Sequence, residues 1–447
     1  MLSEFITYIQ EHELFRLSRD RILLAVSGGI DSIALAQLCK KAGAKFGIAH
    51  CNFQLRGEES DGDAAFVEQL AKDFDVPFYS INFDTQKIAD EKKASIQLIA
   101  RQLRYRWLEE IRQENDYNYI AVAHHHNDSI ETLLMNLTVG CGIRGLHGIY
   151  PKKGYVIRPI LFASKADITN YIQSKNFSYR EDSSNANTKY RRNAVRHLVV
   201  PALEDINPEL TTTFHKNIER FRATEALYNY AIEQLKAQYV EQIGDTIKIN
   251  IKGVEQTPSP QTFLYELLTP YNFKASKAEY IFRRREEPPG SIYTSKTHRL
   301  LRDRQHWIVI PTPTNLNQQY TIEHFEGTNG QIALEDYSID WAIHQNHSDF
   351  KFDEASAYFD LKTIQFPLHL RRWKAGDIFY PIGMNGKKKK ISKFFKDIKL
   401  NRFEKEATWL LCNGQQEILW VVQHRADERF KVSPNTEQIL ELKIQQR

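Results

Sequence analysis

The first two hundred residues alternate short apolar runs with amphipathic stretches, and that alternation leaves few folds open to the chain. Residues 22–26, 46–50, 78–83 and 119–123 have the length and the β-branched or aromatic content of strands. Between them, near 31–42, 60–73, 95–114 and 128–138, apolar residues recur at the three- and four-residue spacing of helices. Repeated strand–helix units predict an α/β fold, a doubly wound parallel sheet with helices on both faces and its ligand at the carboxyl ends of the strands. Pro201 and Pro208 punctuate the end of this region, and a polar helical stretch follows to about residue 242. A small mixed region runs to WIVIP at 307–311, and PTPTNLNQQ reads as a linker to a last region dominated by strand patterns. At 447 residues the chain exceeds one ordinary core. Three domains are expected: 1–215, a helical or mixed middle domain over 216–312, and a small α+β C-terminal domain over 313–447 with its core at about 360–447.

With 42% hydrophobic and 26% charged residues and no apolar stretch of spanning length, the composition is that of a globular protein with no membrane partner. The opening MLSEFITYIQEHELF carries acids where a secretion signal carries bases, so a cytoplasmic location is expected. Cys39, Cys51, Cys141 and Cys412 are scattered without metal or disulfide spacing. The net charge is only +4, but bases cluster at Arg191, Arg192 and Arg196, at Arg283 to Arg285, and at Arg371, Arg372 and Lys374. They are densest in KKKKISKFFKDIKLNR, where Lys387, Lys388, Lys389, Lys390 and Lys393 belong to eight bases against one acid. Interleaved Tyr190, Trp373, Phe394 and Phe395 are what a surface meeting phosphates and unstacked bases needs, against the plainer reading of a solvated basic face.

The first apolar run ends in Ser27-Gly28-Gly29-Ile30-Asp31-Ser32 and a helix then begins near Asp31. Paired glycines let backbone N–H groups approach a ligand, and a helix N-terminus adds free donors and partial positive charge, so the stretch reads as a phosphate cradle. It lacks the Lys-Ser/Thr of a Walker A loop and the Gly-x-Gly-x-x-Gly of a dinucleotide fingerprint. A carboxylate beside phosphates is unfavourable without an intervening cation, which makes Asp31 a candidate magnesium ligand. The plain alternative is a strand–helix turn capped by Asp31.

The whole Ser-Gly-Gly-x-Asp-Ser string resembles the pyrophosphate loop of the N-type ATP pyrophosphatases, which cleave ATP to AMP and pyrophosphate through an adenylated intermediate. Downstream come His50-Cys51-Asn52-Phe53 with Leu55-Arg56, then Arg101 and Arg104-Tyr105 one helical turn apart. Ala123-His124-His125-His126-Asn127-Asp128-Ser129-Ile130-Glu131-Thr132, Gly140-Cys141-Gly142-Ile143-Arg144-Gly145, Arg158-Pro159-Ile160, Glu181-Asp182-Ser183-Ser184-Asn185 and Tyr190-Arg191-Arg192-Asn193 with Arg196 follow in order. Taken together these resemble the tRNA(Ile)-lysidine synthetase family over residues 21–210, and again from about 365 at Leu370-Arg371, Gly376-Asp377, Pro381, Gly383-Met384 and the lysine run.

The resemblance implies an enzyme using ATP and Mg2+ to join L-lysine to C2 of the wobble cytidine of the isoleucine tRNA with a CAU anticodon. It implies catalytic roles for Asp31, His125, Asp128 and Arg104, and nucleotide contacts from Ser27, Gly28, Gly29, Ile30, Asp31, Ser32, His50, Asn52 and Arg101. Magnesium falls to Asp31 and Asp128, and tRNA contacts to Arg144, Arg191, Arg192, Arg196, Arg371, Arg372, Lys387, Lys388, Lys389, Lys390 and Lys393. The cytosine O2 cannot leave until it is made a phosphate ester, and a lysine ε-amine of ordinary pKa costs about 4.6 kcal/mol to deprotonate at pH 7. A carboxylate is therefore expected beside it, with Glu131, Glu181 and Asp182 all in contention.

The competing readings are bland or neighbouring. Adjacent histidines diverge around a helix or strand and lack a metal-ligand spacing; Arg101 and Arg104 could be surface ion-pair residues; 140–145 could be an ordinary loop rather than a closing element over the site. At the level of function the alternatives are a sulfur transferase of the same superfamily, an amide-forming synthetase, and an RNA-binding module with a dead ATP site. The oligomeric state, a homodimer included, is left open by the sequence.

Overall fold

The computed structural model describes residues 1–55, 57–180, 191–314, 318–334, 337–345 and 355–446. The chain divides into two compact units, Met1–Tyr230 and Ala231–Arg447.

The first unit opens with α1 (Leu2–Glu11) and then alternates β1 (Arg21–Ala25), α2 (Ile30–Lys41), β2 (Lys45–Asn52), α3 (Glu58–Phe74) and β3 (Phe78–Asn82). Next come α4 (Thr85–Lys92), α5 (Ile96–Glu114), β4 (Tyr119–Ala121), α6 (His126–Val139), β5 (Lys152–Lys153), β6 (Val156–Ile157) and α7 (Lys165–Ser174). After the gap in described residues lie α8 (Arg191–Ala194), a single π-turn at Val195–Val199, α9 (Val200–Ile206) and α10 (Leu210–Tyr239). The strands order as β3-β2-β1-β4-β6-β5, all pairs parallel except β5 with β6 at the edge. From β1 the chain builds outward to β3 on one side and then returns to build β4 and β6 on the other. The crevice between the carboxyl ends of β1 and β4 is thus the switch point of the sheet, where open α/β folds bind ligands.

The alternation of β1 explains the two layers. Ile22 and Leu24 point into one core with Phe5, Ile33, Leu35 and Ile172, whereas Leu23 points into the other with Trp107, Leu108 and Ile120. A strand buried on both faces reads as a continuous apolar run, as Ile22-Leu23-Leu24 does. Ser95 and Ser164 cap α5 and α7 by accepting N–H bonds from Leu98 and Asp167, which sets where those helices start.

The second unit is dominated by antiparallel sheet. One five-stranded sheet sets Thr246–Asn250 beside His306–Pro311, which pairs with His298–Arg302. Another contains Leu368–Arg372, Trp409–Cys412 and Ile418–Val421, and a four-stranded sheet contains Tyr337–Gln345, Ser356–Asp360 and Gln438–Gln446. These last two sheets share a core holding Trp341, Phe359, Leu370, Trp409, Trp420 and Leu440. Phe394 and Phe395 belong to an adjoining core with Phe379 and Leu410, and Trp373 packs against it. The aromatic residues among the lysines are therefore packing residues, and the expectation that Phe394 and Phe395 stack on bases is corrected. No described helix is long and apolar enough to cross a membrane.

Candidate active site

At the end of β1 the chain turns through Gly28 at φ +92°, a backbone state that favours glycine, and enters α2 after Gly29. Ser32 Oγ donates to the Gly29 carbonyl at 2.8 Å and accepts the Ser27 N–H at 3.2 Å, closing the 27–32 loop on itself. The first N–H groups of α2 have no acceptor within the helix, which is what a phosphate site uses.

Across the switch point, α6 starts at His126 directly after β4. Asp128 Oδ2 accepts the His125 N–H at 2.9 Å, a charge-assisted cap that aims the carboxylate back toward the strand end. His125 Nε2 then lies 3.8 Å from Asp31 Oδ2 and 3.7 Å from Asp128 Oδ2, so one buried imidazole stands between the carboxylates of the two motifs. Lys165, the first residue of α7, places Nζ 2.6 Å from Asp31 Oδ1, and its own N–H donates to Asn127 Oδ1 at 2.9 Å. Three helix N-termini, those of α2, α6 and α7, thus converge on one crevice.

A layer of arginine lies beside this centre. Glu131, one turn beyond Asp128 and 2% exposed, receives Arg192 Nε at 2.6 Å and Arg196 Nε at 2.5 Å. Asp128 Oδ1 receives Arg192 Nη2 at 2.8 Å and Arg196 Nη2 at 3.3 Å. Burial alone would raise the Asp128 pKa; His125, Arg192 and His124 outweigh it and hold the carboxyl below its ordinary range. His124 and His126 are both pushed down to about 4, chiefly by burial, and so are neutral imidazoles near pH 7. The three rings diverge: His126 bonds the Thr211 carbonyl at 3.1 Å and meets His215, away from the crevice that His125 faces. A pocket of about 200 Å3 opens here, lined by His125, Asn127, Glu131, Lys165, Arg196, Val200, Pro201 and Glu204.

Three family models match consecutive parts of the chain: a PP-loop domain at residues 3–203, a TilS substrate binding domain at 242–312 and a TilS substrate C-terminal domain at 368–443. The tRNA(Ile)-lysidine synthase of Parabacteroides distasonis is 40% identical over 439 residues, covering 97% of each chain. The chain belongs to the tRNA(Ile)-lysidine synthase family. The relative from Porphyromonas gingivalis is 37% identical over 95% of this chain and 94% of its own. That from Bacteroides thetaiotaomicron is 35% identical over 98% of each.

The remaining residues named from the sequence as lysidine-synthase site residues are placed as follows. His50 and Asn52 are buried at the end of β2; His50 Nδ1 meets the Val26 carbonyl at 2.9 Å and Asn52 donates to Asp61 at 2.8 Å. Burial lowers the His50 pKa. Arg101 and Arg104 are exposed on α5, over the rings of Tyr105 and Phe53 at 5.0 and 5.2 Å. Arg144 is exposed and donates to Asn229 at 3.0 Å, and Arg191 is exposed. Arg192 and Arg196, grouped with tRNA contacts by sequence, instead face Asp128 and Glu131. In the second unit Arg371 is 7% exposed and grips Asp377 through two bonds of 2.9 Å, while Arg372 lies 3.8 Å over the Trp409 ring. Lys389 pairs with Asp397 at 2.6 Å, and Lys387, Lys388, Lys390 and Lys393 are exposed. Arg56, Glu181, Asp182, Ser183, Ser184, Asn185 and Tyr190 lie outside the described residues.

Sequence reading passed over Lys165 and Glu204. Ser164-Lys165-Ala166-Asp167 is a capping signature separated from β6 by residues 158–163, and it would have marked a third helix N-terminus at the ligand-binding edge.

Proposed function

We propose that this chain is the ATP-dependent enzyme that joins L-lysine to C2 of the wobble cytidine in tRNA(Ile) bearing a CAU anticodon, releasing AMP and pyrophosphate. The observation that carries the reading is the meeting of Asp31 and Asp128, from opposite sides of the switch point, on His125. A phosphate loop on one side and a polar amino-acid-sized pocket on the other suit a reaction that first adenylates and then substitutes.

In this reading the 27–32 loop and Lys165 hold the β- and γ-phosphates. The cytosine O2 attacks the α-phosphorus, pyrophosphate leaves, and the charge on the departing group is met by N–H donors and the Lys165 ammonium. Arg101 and Arg104 stand on the adenosine side, where His50 and Asn52 shape the end of β2. Asp31 suits magnesium better than Asp128: both oxygens of Asp128 already accept strong donors, whereas Asp31 Oδ2 faces only His125 among the described residues. Magnesium bound there with ATP would offset phosphate charge.

Lysine then occupies the pocket beside α9. Val200 and Pro201 give its methylenes an apolar wall, Glu204 offers a carboxylate to an ammonium, and Arg196 can meet the α-carboxylate. Attack of the ε-amine on C2 expels AMP, and the proton it sheds has Glu204 as an acceptor within the pocket, since both Glu131 oxygens already accept guanidinium donors. Region 1–215 carries the chemistry, and regions 216–312 and 313–447 hold the tRNA, with phosphate contacts from Lys387, Lys388, Lys390 and Lys393 together with Arg144 and Arg191. Sulfur transfer is disfavoured by Cys51, whose thiol burial pushes up to about 12, far from a reactive thiolate.

The test is transfer of radiolabelled lysine to unmodified tRNA of CAU anticodon in the presence of ATP and magnesium. Incorporation that needs ATP and is lost in Asp31→Ala supports the reading. AMP formation with RNA but no lysine in the product overturns the acceptor assignment.

A further inference from the structure

We propose that Arg180 is a positioning residue for the phosphate loop, holding the Gly28–Gly29 peptide with its N–H rather than its carbonyl toward the nucleotide. The proposal rests on the reading of the 27–32 loop as the phosphate cradle.

After α7 the chain packs Phe177 and Tyr179 against the core beneath α2 and reaches Arg180 beside the loop. The Arg180 N–H donates to the Gly28 carbonyl at 3.0 Å. Its guanidinium forms an ion pair with Asp63, a buried residue of α3. The neighbouring Gly62 leaves room for that side chain, since a Cβ there would stand 3.0 Å from Arg180 Nη2. Arg180 is therefore anchored on α3 by its side chain while its backbone holds the loop.

A peptide is planar, so the Gly28 carbonyl and the Gly29 N–H point in opposite directions. Fixing the carbonyl toward Arg180 directs the Gly29 N–H to the far side, where it donates to Ser27 Oγ over a long 3.4 Å, a weak bond that a phosphate oxygen would replace. Between two glycines, with Gly28 at φ +92°, rotation of this peptide meets little steric resistance. Once rotated, it would present a carbonyl oxygen to the phosphates in place of a donor. The loop's own hydrogen bonds run through Ser27, Ser32, the Gly29 carbonyl and the long Gly29 N–H to Ser27 Oγ contact of 3.4 Å, and leave the Gly28 carbonyl to Arg180.

The test compares the full-length chain with Arg180→Ala, Arg180→Lys and Asp63→Asn. Radiolabelled ATP binding is measured by equilibrium dialysis and lysine transfer by KM for each substrate, with melting temperature as the folding control. Arg180→Ala is expected to weaken ATP binding about tenfold, the scale of one charge-assisted anchor, with the KM values for lysine and tRNA unchanged. Arg180→Lys should recover part of the loss and Asp63→Asn should share it. ATP binding within twofold of wild type in Arg180→Ala would overturn the proposal, as would equal rises in all three KM values. A wild-type chain that binds ATP but transfers no lysine would defeat the proposed function and leave the Arg180 comparison decisive.

Discussion

Lys165 Nζ lies 2.6 Å from Asp31 Oδ1, joining the first residue of α7 to the phosphate loop across 134 positions of sequence. The pair gives Asp31 a cation of the chain's own and, in the proposed reaction, sets an ammonium beside the departing pyrophosphate. Its consequences, and those of the arginine layer beside it, can be measured.

Lys165→Met should lower kcat/KM for ATP by about 100-fold, the scale of losing one preorganised charge on a departing oxyanion. If Lys165 serves the phosphates, lysine affinity changes much less; steady-state kinetics with each substrate varied in turn checks this. A loss confined to the lysine KM would place Lys165 on the amino acid instead.

Glu131 is almost fully buried and satisfies two guanidiniums, so removing it leaves cations facing a desolvated wall. Glu131→Ala should destabilise the first unit by roughly 3 kcal/mol, read from the shift in its urea unfolding midpoint. Stability equal to wild type would mean that water reaches Arg192 and Arg196 freely.

Arg371 and the lysine run should separate by phenotype. Arg371→Ala breaks a buried bidentate pair and should lower the melting temperature. Lys387, Lys388, Lys390 and Lys393 replaced together by Ala should leave melting unchanged and flatten the dependence of log K for tRNA on log salt. Each phosphate that is no longer neutralised changes that slope by about 0.7 to 0.9, so filter binding across a salt series resolves it.

His124 and His126 have folded pKa values near 4 against 6.5 for the free side chain, because burial opposes charging them. Between those values the unfolded chain binds protons that the folded chain does not. The stability they protect is complete above pH 6.5 and is lost progressively as pH falls toward 4. Urea midpoints measured across that window should decline, and His126→Gln should show a shallower decline.

The β1, β2, β3 and β4 strands and α2, α3 and α5 between them were legible because burial on both faces or one leaves a local periodic trace, as in Ile22-Leu23-Leu24, whereas the short polar α4 (Thr85–Lys92) was not. The 27–32 loop was legible because a tight turn before a helix needs its glycines in sequence. Phe394 and Phe395 were misread for the same reason: an aromatic among lysines looks alike in the string whether it faces solvent or Phe379.

What the sequence determined alone was thus the four central strands β1 to β4, the glycine turn at 27–32 and the family, all encoded in contiguous residues whose local conformation follows from their own chemistry; the two-residue strands β5 and β6 exist only through their pairing. Tertiary structure decided the partners: Lys165 on Asp31, Arg192 and Arg196 on Asp128 and Glu131, Arg180 on Gly28 and Asp63. Ion pairs between residues 61 to 134 positions apart are set by which strand ends the sheet order brings together, and no local spacing records that.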